Sequence, residues 1–149
     1  MTIPETPAPD SLAGRQAALV ATLSAVRDPQ ARFAWAVEQA RHRPHLPTAL
    51  RLDAHRVEGC QVRLWFVAEF RAGHCWFQTD SDAATLRAMC GLLADLASGA
   101  APAELAAWQP DFLDRLGLLR QLAENRRATV LRVVAKMRAF AAGRMVNGE

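Results

Sequence analysis

The segment Arg56-Val57-Glu58-Gly59-Cys60-Gln61 offers a thiol one residue after a glycine, directly ahead of an alternating apolar run that ends at Phe70. Glycine tolerates backbone angles that other residues avoid and leaves room for close approach, so this is a position at which a sulfur nucleophile can be presented to another molecule. The thiolate is the attacking form, and at an ordinary thiol pKa of about 8.5 only a small fraction is ionised near neutrality. Positive charge close by therefore matters, and His55, Arg56 and Arg63 are the nearest candidates in the chain. The other two cysteines have different surroundings. Cys75 alternates with Trp76 in a strand pattern, and Cys90 lies among Leu86, Met89 and Leu93 at helical spacing, so both are expected to be packing residues. A second chemistry open to the same side chains is a zinc or iron–sulfur site built from Cys60, Cys75, Cys90 and His74, since thiolate and imidazole suit those metals. Two features weigh against it: His74 and Cys75 are adjacent on a strand and point to opposite faces, and Cys90 falls well inside a helix.

These residues need a scaffold to position them. Val62, Leu64, Phe66 and Ala68 alternate with Arg63, Trp65, Val67 and Glu69, which is the period of a strand. Arg71-Ala72-Gly73 reads as a turn and His74–Thr79 as the returning strand, giving a hairpin over 61–79. Two strands alone are marginal, and a third near 54–57 would complete a small sheet. Upstream, Leu12, Leu19, Leu23 and Val26 recur at helical spacing, and Asp28-Pro29 places a cap and a first-turn proline before a second helix through Phe33, Ala36, Val37 and Ala40. The stretch 41–55, with Pro44 and Pro47, is expected as a surface connection containing one helical turn at Thr48–Leu50. Downstream, Asp80-Ser81-Asp82 supplies short acceptors for the start of a helix running to about Ser98. Pro102 and Pro110 open two short helices. Asn125 is expected to cap a last helix that stops at Gly143. The order of helices, hairpin, helices predicts an α+β domain over 11–143, with helices on one face of a small antiparallel sheet, a disordered arm at 1–10 and a tail at 144–149.

Composition narrows the function classes. Half of the 149 residues are apolar, enough for one ordinary core. The formal charge of +3 comes from 18 basic and 15 acidic residues spread along the chain, with no dense basic block, which argues against nucleic acid as a partner. Three cysteines at 15-residue intervals cannot all pair within one chain and fit no zinc-ribbon spacing, which points to reduced thiols in the cytosol. The first ten residues carry neither a secretion signal nor a membrane span, and a cytoplasmic location is the expectation.

Taken together, Arg56-Val57-Glu58-Gly59-Cys60-Gln61, then Trp65, then Asp80-Ser81-Asp82-Ala83-Ala84, then Leu122 with Arg126 resemble the SufE/CsdE family of sulfur-acceptor proteins that serve cysteine desulfurases. The resemblance covers nearly everything after the first ten residues. It implies that Cys60 accepts a sulfane sulfur from a SufS/CsdA-type desulfurase and carries it as a persulfide to an iron–sulfur scaffold. The pyridoxal phosphate of that reaction belongs to the partner, so this chain is expected to hold no cofactor and no metal. It further implies that Asp82 and Arg126, with Glu58, Gly59, Gln61 and Asp80 around the loop, hold Cys60 or meet the partner. Capping and helix-dipole contacts would by themselves explain Asp80 and Asp82, whereas Arg126, a cation in a first helical turn, calls for a specific anion or carbonyl contact. Trp65 is expected to pack beside the loop. At rest Cys60 is expected to shelter in an apolar recess, because exposed thiolates oxidise readily. The chain departs from the family pattern at Val62 and Arg63 and, in the last helix, at Arg127 and Val130-Leu131, changes that bear on which desulfurase is recognised. The remaining reading is a module that docks on a desulfurase without carrying sulfur.

Overall fold

A computed structural model describes residues 11–148. The arm expected over 1–10 lies outside the described residues. Within them, six α-helices and one hairpin form the framework: α1 (Leu12–Ser24), α2 (Pro29–Arg41), β1 (Leu64–Arg71), β2 (His74–Ser81), α3 (Ala84–Ala97), α4 (Pro102–Ala106), α5 (Phe112–Arg115) and α6 (Glu124–Gly148). This is the expected α+β arrangement.

The centre of the molecule is α3. Every residue from Leu86 to Ala97 except Asp95 is buried, because β2, α2, α6 and α1 all pack against it. Such a helix shows little polar periodicity. The amphipathic α6 covers it from another side with Val130, Val133, Val134, Met137 and Ala141, and Phe66, Phe77 and Phe140 meet with ring centroids 5.6 and 5.7 Å apart, joining both strands to α6.

Three arginines fasten helix ends, whose last carbonyls have no partner within their own helix. Arg15 donates to the carbonyls of Leu96 and Ser98 at the end of α3. Arg32 donates to those of Leu23 and Val26 at and beyond the end of α1. Arg87 reaches the carbonyls of Ala40 and Arg43 at the end of α2. The start of α2 is as expected, with the Asp28 carboxylate accepting from Gln30 N–H and Pro29 in the first turn.

The hairpin differs in its limits. β1 starts at Leu64 and not at Gln61, and β2 continues through Ser81. Arg71 pairs with His74 across Ala72 and Gly73, which have φ of +54° and +81°; two left-handed residues are what a tight hairpin needs to match strand twist. The third strand near 54–57 shrinks to one bridge, Arg56 to Trp65, because Asp53–His55 coils into a 3-10 turn. The turn at Thr48–Leu50 is present. The last helix also departs from expectation. It begins at Glu124, so Asn125 is a first-turn residue and not its cap, and it runs through Gly143, so the segment read as a tail is helical as far as Gly148. Gly143 is followed by no left-handed turn, and a single glycine without such a turn weakens a helix without ending it.

Candidate functional site

Cys60 lies in the loop that runs from Arg56, bridged to Trp65, round to the start of β1, and that loop is fastened at both ends. On the entry side Val57 N–H donates to Leu64 C=O at 2.8 Å, and Arg132 on α6 donates to the Glu58 carbonyl at 3.1 Å. On the exit side the Arg63 carbonyl accepts from Asp82 N–H at 3.1 Å and from the Ser81 hydroxyl at 2.8 Å, while the Arg63 guanidinium meets Asp82 Oδ2 at 2.7 Å. Between these anchors the chain turns at Glu58–Gly59 and bends at Gln61–Val62, outside any helix or strand. Gly59 has φ of +84°, and a Cβ there would lie 3.1 Å from Arg132 Nη1; both the backbone angle and the close guanidinium favour glycine.

The Cys60 thiol is half-buried and points at α6. Its S–H donates to Thr129 Oγ1 at 3.7 Å, and the Thr129 hydroxyl in turn donates to the Asn125 carbonyl at 3.0 Å. With its own proton committed, the threonine oxygen faces the sulfur as an acceptor. A recess of about 40 Å³ adjoins the thiol, walled by Gln61, Val62, Leu86, Asn125, Arg126 and Thr129. The shelter is thus apolar on the side of Val62 and Leu86 and polar on the side of α6, where an apolar recess was expected. Arg126 meets a hydroxyl in place of the anion or carbonyl expected: Nη1 donates to Thr85 Oγ1 at 2.8 Å in the first turn of α3. Asn125, Arg126, Thr129 and Arg132 present one face of α6 to the loop, since positions spaced by three and four residues align along a helix.

The remaining expected residues are placed as follows. His55 uses Nδ1 on the Leu50 carbonyl at 2.8 Å, Arg56 is exposed beside its bridge, and Arg63 is committed to Asp82 and to the Trp65 ring, 5.2 Å away. The cations set around the loop are instead Arg126 and Arg132, which come from residues far along the chain. Asp80 is neither a helix cap nor a surface contact. It is buried, accepting from Leu46 N–H, Ser81 N–H, Arg87 Nε and His45. Burial pushes the Asp80 carboxyl up, but those four hydrogen bonds outweigh it and hold the carboxyl below its ordinary value. The N-cap of α3 is Ala83, without a side-chain cap, so the capping role of Asp82 falls away as well; its partner is Arg63. Trp65 is buried beside the loop as expected, with its indole N–H unpaired among the described residues.

Cys75 and Cys90 are fully buried. Burial, with a further contribution from Cys60, pushes the Cys90 thiol up to about 12. Burial also raises Cys75, against a smaller opposing effect of Arg144. His74 is turned to the Ala72 carbonyl at the hairpin tip. Among the described residues no group of three or more His, Cys, Asp or Glu could hold a metal ion, so Cys60, Cys75, Cys90 and His74 are not assembled into one site. No helix there is long and apolar enough to cross a membrane.

Comparison with known proteins gives a match to the SufE family model, described as an Fe-S metabolism associated domain, over residues 17–141. Among curated relatives, the chain is 30% identical over 76 residues to an uncharacterized SufE-like protein of Synechocystis, covering 51% of this chain and 48% of that one. It is 26% identical over 132 residues to SufE-like protein 1, chloroplastic/mitochondrial, of Arabidopsis thaliana, covering 88% and 36%. It is 37% identical over 87 residues to the sulfur acceptor protein CsdE of Escherichia coli, covering 56% and 58%. The chain thus spans about half the length of the curated relatives it matches. A solution structure of a hypothetical protein from Thermus thermophilus superposes with a TM-score of 0.67 at 20% identity, covering 91% of this chain and 96% of that one, and shows the shared fold.

Proposed function

Because the chain belongs to the SufE family of Fe-S metabolism associated domains, we propose that it is a sulfur acceptor for a cysteine desulfurase, with Cys60 as the acceptor atom. The desulfurase, using its own pyridoxal phosphate, takes sulfur from L-cysteine and holds it as a persulfide. The Cys60 thiolate attacks the outer sulfur of that persulfide, the S–S bond to the desulfurase breaks, and the desulfurase cysteine leaves as a thiolate, so electrons balance without any other reactant. Cys60 then carries the sulfur as its own persulfide to a scaffold on which iron–sulfur clusters are assembled. A reducing cytoplasm would keep all three thiols unpaired.

The observation that carries this reading is the contrast between Cys60 and the other two thiols. Among the three cysteines Cys60 alone is partly accessible, on a loop outside the helices and strands, while Cys75 and Cys90 are sealed in the core. Arg126 and Arg132 beside that loop supply positive charge toward an attacking thiolate or a terminal persulfide. Arg63 and Asp82 are read as a clamp on the exit side of the loop. The test is to compare desulfurase turnover with wild type and Cys60→Ala: the substitution should abolish stimulation and leave the circular dichroism spectrum unchanged. Full stimulation by Cys60→Ala would reduce the chain to a docking module.

A further inference from the structure

The hairpin leaves one sheet edge unpaired. In the register Arg71 to His74, residues Trp65, Val67, Glu69 and Arg71 direct their main-chain groups to β2. The alternate residues of β1 therefore direct theirs outward. At the start of the strand that outer edge is used, since the Leu64 carbonyl accepts from Val57 N–H. The same bridge sets Phe66 N–H against the His55 carbonyl; beyond it, the Phe66 carbonyl and the outward N–H and C=O groups of Ala68 and Phe70 have no hydrogen-bond partner among the described residues. The strand becomes steadily more exposed along this stretch, and neither a proline nor a bulge blunts it.

What flanks the edge is cationic and, at one end, apolar. Lys136 of α6 lies 5.5 Å from the Phe66 ring, and Arg144, about two turns further on, lies 5.7 Å from the Phe70 ring. The only acidic side chain on β1, Glu69, is already paired with Arg71 at 2.8 Å. At the Phe70 end a hollow of about 520 Å³ opens between Phe70, Gly73, Ala101–Ala103, Arg144 and Met145, where Phe70 and Met145 are 39% and 43% exposed.

We propose that the outer edge of β1 from Phe66 to Phe70 is a docking site for an extended acidic segment of a partner polypeptide, which adds a strand to the sheet and seats an apolar side chain in the hollow beside Phe70. Main-chain pairing supplies affinity with little dependence on sequence. Glutamate or aspartate side chains of the segment meet Lys136 and Arg144, and the apolar anchor fixes the register. A second copy of this chain fits less well, because pairing two β1 edges brings the cationic faces of two α6 helices together. The proposal is independent of sulfur transfer at Cys60.

Amide hydrogen exchange on the full chain tests it, with a probe peptide of roughly eight residues alternating glutamate and threonine and ending in leucine. The peptide should slow exchange at Ala68 and Phe70 by about tenfold or more and leave Val67 and Glu69 unchanged. The same peptide N-methylated at alternate amides keeps its charge but cannot pair and should not protect them, and Lys136→Glu, an exposed substitution, should weaken binding of the unmodified peptide. No protection at saturating peptide, or equal binding of the N-methylated form, would overturn the proposal. So would concentration-dependent protection of these two amides without peptide together with a dimer in sedimentation, which would assign the edge to a second copy.

Discussion

Cys60, Cys75 and Cys90 carry the same side chain in three environments, and the chemistry follows from the difference. Cys90, pushed up to about 12 by burial, stays a neutral thiol at any physiological pH. Brief treatment of the native protein with iodoacetamide should therefore label Cys60 and spare Cys75 and Cys90 until the chain is unfolded; labelling of Cys90 in the folded protein would contradict this. That ordering is legible in the local sequence, because Cys60 follows a glycine in an irregular segment while the other two fall on apolar stripes. The neighbours of Cys60 are not. Thr129, Asn125 and Arg132 reach its loop across about 70 residues of chain, and no local signal marks them beyond their spacing on one helical face. Arg126 is marked by its misfit with the helix dipole. Truncating it removes the hydrogen bond to Thr85 and the charge on the recess wall, so Arg126→Ala should lower the rate of sulfur uptake by about tenfold, the equivalent of about 1.4 kcal/mol. An unchanged rate with unchanged stability would leave Arg126 without a part in the transfer.

At the scale of elements, the loop works because two rigid pieces hold its ends: α6 through Arg132, and the corner between β2 and α3 through Ser81 and Asp82. Gly59 is where the chain must pass a guanidinium in a left-handed conformation. Gly59→Ala should cost about 1–2 kcal/mol from the backbone angle alone and shift Cys60 relative to Thr129. Adding Arg132→Ala should relieve the steric part and not the rest, so chemical denaturation of the double variant should recover only part of the loss. Full recovery would mean that the angle carries no strain. The helices and the hairpin are legible because their periods are strong, 3.6 in α1 and α2 and 2 in β1. The element ends are less so. The acidic corner at 80–82 has the composition of a cap, yet Asp80 is drawn inward by a buried arginine seven residues later that composition cannot reveal. The segment near 54–57 pairs through one bridge only, because the 3-10 turn at Asp53–His55 takes up its first half. The stop expected at Gly143 is absent because packing of α6 on α3 and α4 carries the helix past a weak residue.

For the molecule as a whole, Asp80 and Arg87 form the buried junction between the linker after α2, the sheet and α3. Their side chains are 2% and 10% exposed. Removing the carboxylate leaves Arg87 buried without its counter-charge, so Asp80→Ala should cost about 3 kcal/mol in urea unfolding. Because the Asp80 carboxyl is lowered in the folded protein, its contribution is fully present above the unfolded-chain value of about 3.9 and is lost as pH falls through the folded value. Wild type should therefore lose stability below about pH 4 more steeply than Asp80→Asn, and equal slopes would remove Asp80 as the cause. Around this junction the fold holds α6 and the 80–82 corner at a fixed separation, and the Cys60 loop spans it. Sulfur uptake by this loop is read by intact-mass and peptide analysis after incubation with a cysteine desulfurase and L-cysteine. Added sulfur should appear on Cys60 in the wild type and not in Cys60→Ala; a wild-type chain that gains no sulfur while the desulfurase turns over would rule out Cys60 as the acceptor.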